Sequence, residues 1–116
     1  MFIACGAAGG KRLAHSVDVG DLAATTHDPL LAQVRYRLRK SHGAAKEGKT
    51  IGVQCVFSRE AVAPPDPSCK IDATGDGSLN CHGYGSVVSV TATFGQCAAG
   101  WLLDRIATKK RPSRTL

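Results

Sequence analysis

The chain has 116 residues, which fits one domain with a single hydrophobic core and leaves no room for a second. Hydrophobic residues make up 43% of the sequence but aromatic residues only 5%, so the core must consist mainly of Val, Leu, Ile and Ala. Fifteen Lys and Arg residues against nine Asp and Glu residues give a formal net charge of +6, which favours an acidic partner such as nucleic acid but identifies none.

The cysteines argue against a disulfide framework, because their number is odd and no Cys-x-x-Cys pair occurs. No charged segment followed by an apolar one opens the chain, so no secretory leader is predicted. We therefore expect reduced thiols and a cytoplasmic location, with the mitochondrion as the alternative. Residues 83–103 are nearly uncharged but include Ser, Thr and Gln, which predicts a buried helix without a membrane span. The five cysteines are Cys5, Cys55, Cys69, Cys81 and Cys97.

Two strands are predicted in the first part of the chain. Residues 2–5 are apolar and lead into a glycine-rich segment at residues 6–10, as in a buried strand that ends in a loop. Only Met1 precedes this strand, and a buried strand needs neighbours on both sides, so we expect that upstream sequence is absent. Residues 16–22 alternate apolar and polar, which predicts a second strand with one solvated face.

A helix is predicted from Asp28, as N-cap, and Pro29, at the first helical position, to about Lys40. Basic residues fill its last turns, where they complement the helix dipole. Four apolar residues share one face of it: Leu30, Leu31, Val34 and Leu38.

The second part of the chain predicts one more strand and one more helix. Residues 51–58 are rich in β-branched residues and indicate a buried strand, and prolines and glycines then indicate a loop over 61–80. Residues 86–109 predict a helix that is apolar on most sides, hence a core element, with Gly95 and Gly100 allowing another backbone to approach. We expect a domain over residues 1–108 and a frayed basic tail over 109–116.

Cys81 is the strongest candidate for chemistry, since it lies in a glycine-rich segment just before the last helix. The positive end of a helix dipole and free loop amides lower a thiol pKa, and the adjacent His82 could carry a proton. The alternative is an inert cysteine beside a surface histidine, which is the commoner case.

Metal and phosphate sites are weakly indicated. Cys55, Cys69, Cys81 and His82 could ligate zinc, but they lack the close pairs of structural zinc sites, so no metal site is predicted. Residues 72–77 lack the ligand Glu of an EF-hand and read as a turn. Residues 6–10 carry neither a P-loop nor a G-x-G-x-x-G motif, so a strand-end turn is the better interpretation.

A basic cluster on the first helix could neutralise RNA phosphates. No aromatic residue for base stacking is recognised beside it, so a solvated helix face is the simpler interpretation. The candidate tRNA contacts are Arg35, Arg37, Arg39 and Lys40.

Five segments resemble, in this order, the C-terminal half of the tRNA threonylcarbamoyladenosine dehydratases, within the ThiF/MoeB/HesA ubiquitin-activating-like superfamily. The most specific are Cys-Val-Phe-Ser at 55–58 and Thr-Ala-Thr-Phe-Gly at 91–95, and the likeness extends over residues 2–108. The segments are residues 3–10, 17–22, 27–39, 52–60 and 90–95.

The resemblance implies the C-terminal half of a Rossmann-like, ThiF-type α/β domain with a mixed sheet and two main helices, in a family that is usually dimeric. It implies an ATP- and Mg²⁺-dependent enzyme that adenylates the carboxylate of threonylcarbamoyladenosine in tRNA and closes it to a cyclic form. In that family the nucleotide site belongs to the half that this chain lacks. No cofactor-binding residue is therefore assigned, and we expect the chain to be inactive without that half.

Cys81 resembles the position of a cysteine that takes part in acyl or sulfur transfer in ThiF-type relatives. This sequence lacks their Cys-x-x-Cys zinc pairs, which favours the dehydratase branch, whereas residues 11–16 depart from the family's Asp-Pro pair. Two alternatives stay open: a sulfur- or modifier-transfer protein that uses Cys81, and a small basic RNA-binding module. We also expect the isolated chain to aggregate or dimerise through unpaired strand edges and exposed apolar surface.

Overall fold

The computed structural model describes residues 1–63 and 85–109, and the structural statements below concern that part of the chain. The elements follow the predicted order: β1 (Ile3–Cys5), β2 (Val17–Asp21), α1 (Pro29–Ser41), β3 (Gln54–Ser58) and α2 (Val88–Thr108). Short 3-10 helices flank β2, at Ala14–Ser16 and Leu22–Ala24. Since residues 110–116 are not described, the division into a domain and a basic tail stays a prediction.

The three strands form a mixed sheet, as expected, and β3 lies at its centre. β1 pairs with β3 in parallel, with Ile3 opposite Gln54, and β2 pairs with β3 antiparallel, with Val17 opposite Ser58. The expectation that the first strand is buried is wrong for this chain. Among the described residues β1 pairs with β3 alone, so Ile3 is only half-buried and Cys5 is exposed.

The two helices cover opposite faces of the sheet, because alternate residues of β3 point to opposite sides. Cys55 and Phe57 pack with Leu31 of α1 on one face, and Val56 packs with two residues of α2 on the other. Residues 55–58 of β3 are each no more than 1% exposed. The central strand therefore carries the core of a helix–sheet–helix sandwich.

Helix α1 begins where the sequence predicts, because the Oδ1 atom of Asp28 accepts a hydrogen bond from the Leu31 amide at 2.9 Å and Pro29 opens the first turn. Its apolar face is narrower than predicted. Leu31 is buried and Leu38 packs beside it, but Leu30 and Val34 are 53% and 39% exposed. A 13-residue helix on a three-stranded sheet buries only one narrow stripe.

Helix α2 is not the core element that its composition predicts. Only Val90 and Phe94 are buried, whereas Val88 and Ile106 are 75% and 62% exposed. The reason is length: 21 residues span about 31 Å, whereas a five-residue strand spans about 17 Å, so the helix overhangs the sheet. Nothing within 4 Å approaches a Cβ built on Gly95, so the expected close backbone contact is absent there. Neither α1 nor α2 combines the length and hydropathy that crossing a membrane requires.

Asp21 joins the end of β2 to the segment before β3. Its carboxylate accepts hydrogen bonds from the amides of Ala23 (2.9 Å), Ile51 (2.8 Å) and Gly52 (2.7 Å). Residues 51–53, predicted as strand, are instead held by this side chain, and the strand begins at Gln54. Burial acts to raise the pKa of Asp21, but the donating amides outweigh it and lower the pKa below 3.8.

We expect Asp21→Asn to lower the free energy of unfolding by roughly 1–3 kcal/mol, because an amide group turns one acceptor into a donor that faces backbone N–H groups. The pKa of Asp21 is lower folded than unfolded, so its stabilising contribution is present above pH 3.8 and is lost as the pH falls through the folded pKa. Urea unfolding at pH 7 and pH 3 measures both effects.

The control is Asp104→Asn, on the exposed surface of α2, which should change the unfolding free energy little. If the Asp21→Asn protein were as stable as wild type at pH 7, the stabilising role of the Asp21 carboxylate would be contradicted.

Candidate functional site

The loops that follow the parallel strands β1 and β3 meet at one edge of the sheet, beside the N-terminus of α1. Open α/β sheets commonly bind ligands at this position. A cavity of about 320 Å³ opens here. It is lined by residues 25–29, Ala32, Arg35, Ala61 and Val62.

The buried carboxylate of Asp28 binds the glycine-rich loop to α1. Its Oδ2 atom accepts a hydrogen bond from the Ala7 amide at 2.9 Å, while Oδ1 caps the helix through Leu31. A Cβ atom at Gly6 would collide with Oδ2, so only glycine fits the loop at this point. Both carboxylate oxygens of Asp28 are therefore engaged in holding the backbone.

Lys11 is buried at the same edge, with only 2% of its surface exposed. Its Nζ atom donates to the carbonyl oxygens of His27 (2.7 Å) and Ser58 (3.0 Å), so it links the turn before α1 to the end of β3. Desolvation lowers the pKa of Lys11, and the carboxylates of Asp28 and Glu60 oppose that shift. His27 adopts a positive φ of 58°, a strained backbone conformation that these contacts hold.

Glu60 fixes the segment in which the sequence departs from the family pattern. Its carboxylate accepts hydrogen bonds from the amides of Leu13 (2.8 Å) and Arg12 (2.9 Å), and the Leu13 amide contributes most to lowering the pKa of Glu60. Residues 11–16 thus form a defined turn that ends in the 3-10 helix before β2.

The glycine-rich loop uses its amides within the protein. The Gly6 amide donates to the Val56 carbonyl oxygen at 2.8 Å, the Ala7 amide to Asp28, and the Gly10 amide to the Gly85 carbonyl oxygen at 3.1 Å. The carboxylate of Asp28 would also repel a phosphate at this point. These contacts support the interpretation of the loop as a strand-end turn.

Of the three described cysteines, which are all free, Cys55 lies where reaction is disfavoured. Cys55 is fully buried in β3, and burial, followed by the charges of Asp21 and Asp28, raises the pKa of its thiol to about 11. It therefore stays protonated near neutral pH, which disfavours it as a zinc ligand or a nucleophile. In residues 1–63 and 85–109 no three His, Cys, Asp or Glu side chains lie close enough to hold a metal ion. Cys69, Cys81 and His82 lie outside the described residues.

The four basic residues predicted to contact tRNA divide into two pairs. Arg35 is engaged within the fold, since its Nη1 atom donates to the carbonyl oxygens of Leu22 (3.1 Å) and Thr25 (3.2 Å). Arg39 likewise donates from Nε to the Ala45 carbonyl oxygen at 2.9 Å.

Arg37 and Lys40 are exposed on the outer surface of α1. Lys40 Nζ lies 5.7 Å from the ring centroid of Tyr36, which is 61% exposed. The sequence interpretation overlooked Tyr36 as an aromatic partner of the basic cluster. The signal was present, because Tyr36 stands between Arg35 and Arg37 in the sequence.

With its mixed three-stranded sheet between two helices and a glycine loop against a helix N-terminus, the chain is similar to part of a ThiF-like α/β domain. Among these domains it is related to the tRNA threonylcarbamoyladenosine dehydratases. It is 39% identical over 114 residues to the Escherichia coli K12 protein and 35% identical over 112 residues to the Haemophilus influenzae protein of that name.

These matches cover 92% and 93% of this chain but 42% and 41% of the relatives, so the chain spans about two fifths of their length. The solved structure of TcdA (CsdL) matches with a TM-score of 0.73 and 34% identity, over 92% of this chain and 38% of that one. The E. coli dehydratase in complex with ATP matches with the same TM-score and 34% identity, over 92% and 37% of the two chains. No family model matches the chain.

Proposed function

We propose that this chain is the C-terminal portion of a tRNA threonylcarbamoyladenosine dehydratase. The observation that carries this proposal is the combined likeness to the E. coli enzyme, 39% identity over 114 residues together with a TM-score of 0.73 to its solved structures. The reaction would be adenylation of the carboxylate on the tRNA nucleoside, followed by ring closure. ATP, which one of those solved structures contains, would supply the leaving group.

The contacts of the glycine-rich loop and Asp28 argue against ATP or Mg²⁺ binding at this edge. Three amides of the glycine-rich loop donate to protein acceptors, and both oxygens of Asp28 hold backbone. We therefore propose that nucleotide and metal binding belong to sequence that the relatives have and this chain lacks, and that the chain alone is inactive. Its own contribution would be the folded framework and a surface for tRNA on α1, where Arg37 and Lys40 are exposed whereas Arg35 and Arg39 donate to backbone carbonyl oxygens.

A role for Cys81 in acyl or sulfur transfer stays a prediction, since Cys81 lies outside the described residues. Cys55 does not replace it, because its raised pKa keeps the thiol protonated. For location we propose the cytoplasm, because both relatives are bacterial tRNA-modifying proteins; they lend no support to the mitochondrial alternative.

A chimaeric enzyme tests the proposed activity. The segment of the E. coli dehydratase that aligns with this chain is replaced by this chain, and the product is incubated with ATP and tRNA that carries threonylcarbamoyladenosine. Mass spectrometry of the digested nucleosides should show conversion to a product lighter by one water molecule. The E. coli protein without the segment, and this chain alone, should both give no conversion.

A chimaera that unfolds cooperatively yet forms no dehydrated nucleoside would contradict the proposal. Conversion by this chain alone would contradict the part of it that assigns nucleotide binding elsewhere.

We further propose that the outer face of α2 binds a second copy of the chain. An apolar stripe runs along this face with the four- and three-residue spacing of a helix–helix seam, and most of it is exposed. The stripe carries no charge, unlike the chain as a whole. Its members are Val88, Ala92, Gly95, Ala99, Leu102 and Ile106.

The stripe is symmetric about Cys97, which suits an antiparallel pair of α2 helices. Val88 would face Ile106, Ala92 would face Leu102, and the small Gly95 and Ala99 would meet near the centre. A twofold interface requires this reciprocity. A seam about 31 Å long and about 10 Å wide would bury about 600 Å² in total, below the ~1,200 Å² of stable interfaces, so the dimer should be weak.

Sedimentation velocity over a range of concentrations tests the dimer. Wild type should shift from monomer towards dimer as its concentration rises, and Ala99→Glu should remain monomeric because it places a carboxylate at the centre of the seam. Gln96→Glu adds the same charge beside the stripe and should still dimerise. A wild-type monomer at all concentrations would contradict this interface.

A further inference from the structure

Tyr36 is an exposed aromatic residue on the side of α1 that faces away from the core, so core packing does not explain why an aromatic residue stands there. The residue lies seven positions after Pro29 and three after Gln33, so these side chains share a face of α1 opposite to the buried Leu31. Tyr36, Gln33, Pro29 and Ala32 line an open cleft of about 390 Å³. An aromatic ring that is 61% exposed beside a cleft of this size offers a flat stacking surface to a ligand.

All charged side chains of α1, the helix that forms this cleft, are positive. α1 contains four basic residues and no Asp or Glu, and Asp28 before it is buried. Two of the cations, Arg35 and Arg39, donate to backbone carbonyl oxygens, whereas Arg37 and Lys40 are exposed. The Lys40 ammonium group lies 5.7 Å from the Tyr36 ring centroid. A ligand here must therefore combine an aromatic plane with negative charge.

We propose that this face binds a single-stranded segment of RNA, with one unstacked base on the ring of Tyr36 and adjoining phosphates on Arg37 and Lys40. Gln33 can both donate to and accept from a base edge, because its side chain is an amide. The identification of the RNA as tRNA rests on the proposed function. Stacking on aromatic side chains beside a basic groove is the general mode by which proteins hold single strands.

Fluorescence-anisotropy titration of the full chain with labelled tRNA, a short oligouridylate and the corresponding RNA duplex tests this site. The chain should bind tRNA and the single strand more tightly than the duplex. Tyr36→Ala should weaken binding of the single strand by roughly 5- to 150-fold, since stacking contributes about 1–3 kcal/mol per base, and Tyr36→Phe should bind like wild type. Arg37→Gln and Lys40→Gln should each lower the slope of log Kd against log salt by about 0.7.

Arg105→Gln is the matched control, because it removes a cation that lies 5.0 Å from the Trp101 ring on α2, on the opposite side of the sheet. It should leave both affinity and salt slope unchanged. Equal affinity of wild type and Tyr36→Ala, or a larger loss in Arg105→Gln than in Tyr36→Ala, would overturn the site. So would binding to phosphatidylserine vesicles without binding to RNA.

The outcome separates this site from the proposed activity. If the chimaeric dehydratase converts tRNA while Tyr36→Ala binds the single strand like wild type, the site is wrong and the activity stands. If binding depends on Tyr36 while the chimaera is inactive, the activity is wrong and the chain is an RNA-binding module.

Discussion

The carboxylate of Asp28 holds two backbone segments that the chain must bring together, the loop after β1 and the first turn of α1. Because its two oxygens face the Ala7 and Leu31 amides, Gly6 cannot carry a side chain. Lys11, the only buried cation among the described residues, is influenced by the charge of this carboxylate and links the turn before α1 to the end of β3. At the sheet edge where α/β proteins often bind ligands, the Asp28 and Lys11 side chains of this chain connect backbone segments.

The two recognition surfaces that we propose lie on the outer faces of the helices. The sheet is narrow, so each helix has one face on β3 and another that faces away from the sheet. On α1 the outer face is basic and carries Tyr36, while on α2 it is apolar and uncharged. The two sheet edges also differ: β2 contains Asp18, which forms an exposed ion pair at 2.7 Å with Arg59 after β3, whereas β1 has no charged residue. Charged residues discourage strand addition, so β1 is the less protected edge.

The sequence predicted the order and type of the three strands and two α-helices because the local signals were strong: apolar runs before glycines, and an Asp-Pro pair at the start of α1. The sequence-based predictions were wrong where a contact with a residue far away in the sequence determines the local structure. Residues 51–53 are held by Asp21, thirty positions away, and Arg35 is recruited by carbonyl oxygens before the helix. The exposure of most of α2 depends on the length of this helix relative to the strands it covers, which composition does not encode. Tyr36 could have been found by asking which aromatic residue the basic cluster contains.

We propose that RNA contacts the outer face of α1 and neither the glycine-rich loop at residues 6–10 nor α2. Ultraviolet cross-linking of the chain to tRNA tests this most directly. Nuclease digestion followed by peptide mass spectrometry locates the nucleotide that remains on the protein. We expect a cross-link at Tyr36. Cross-links confined to residues 6–10 or to Trp101, with Tyr36 unmodified, would contradict it.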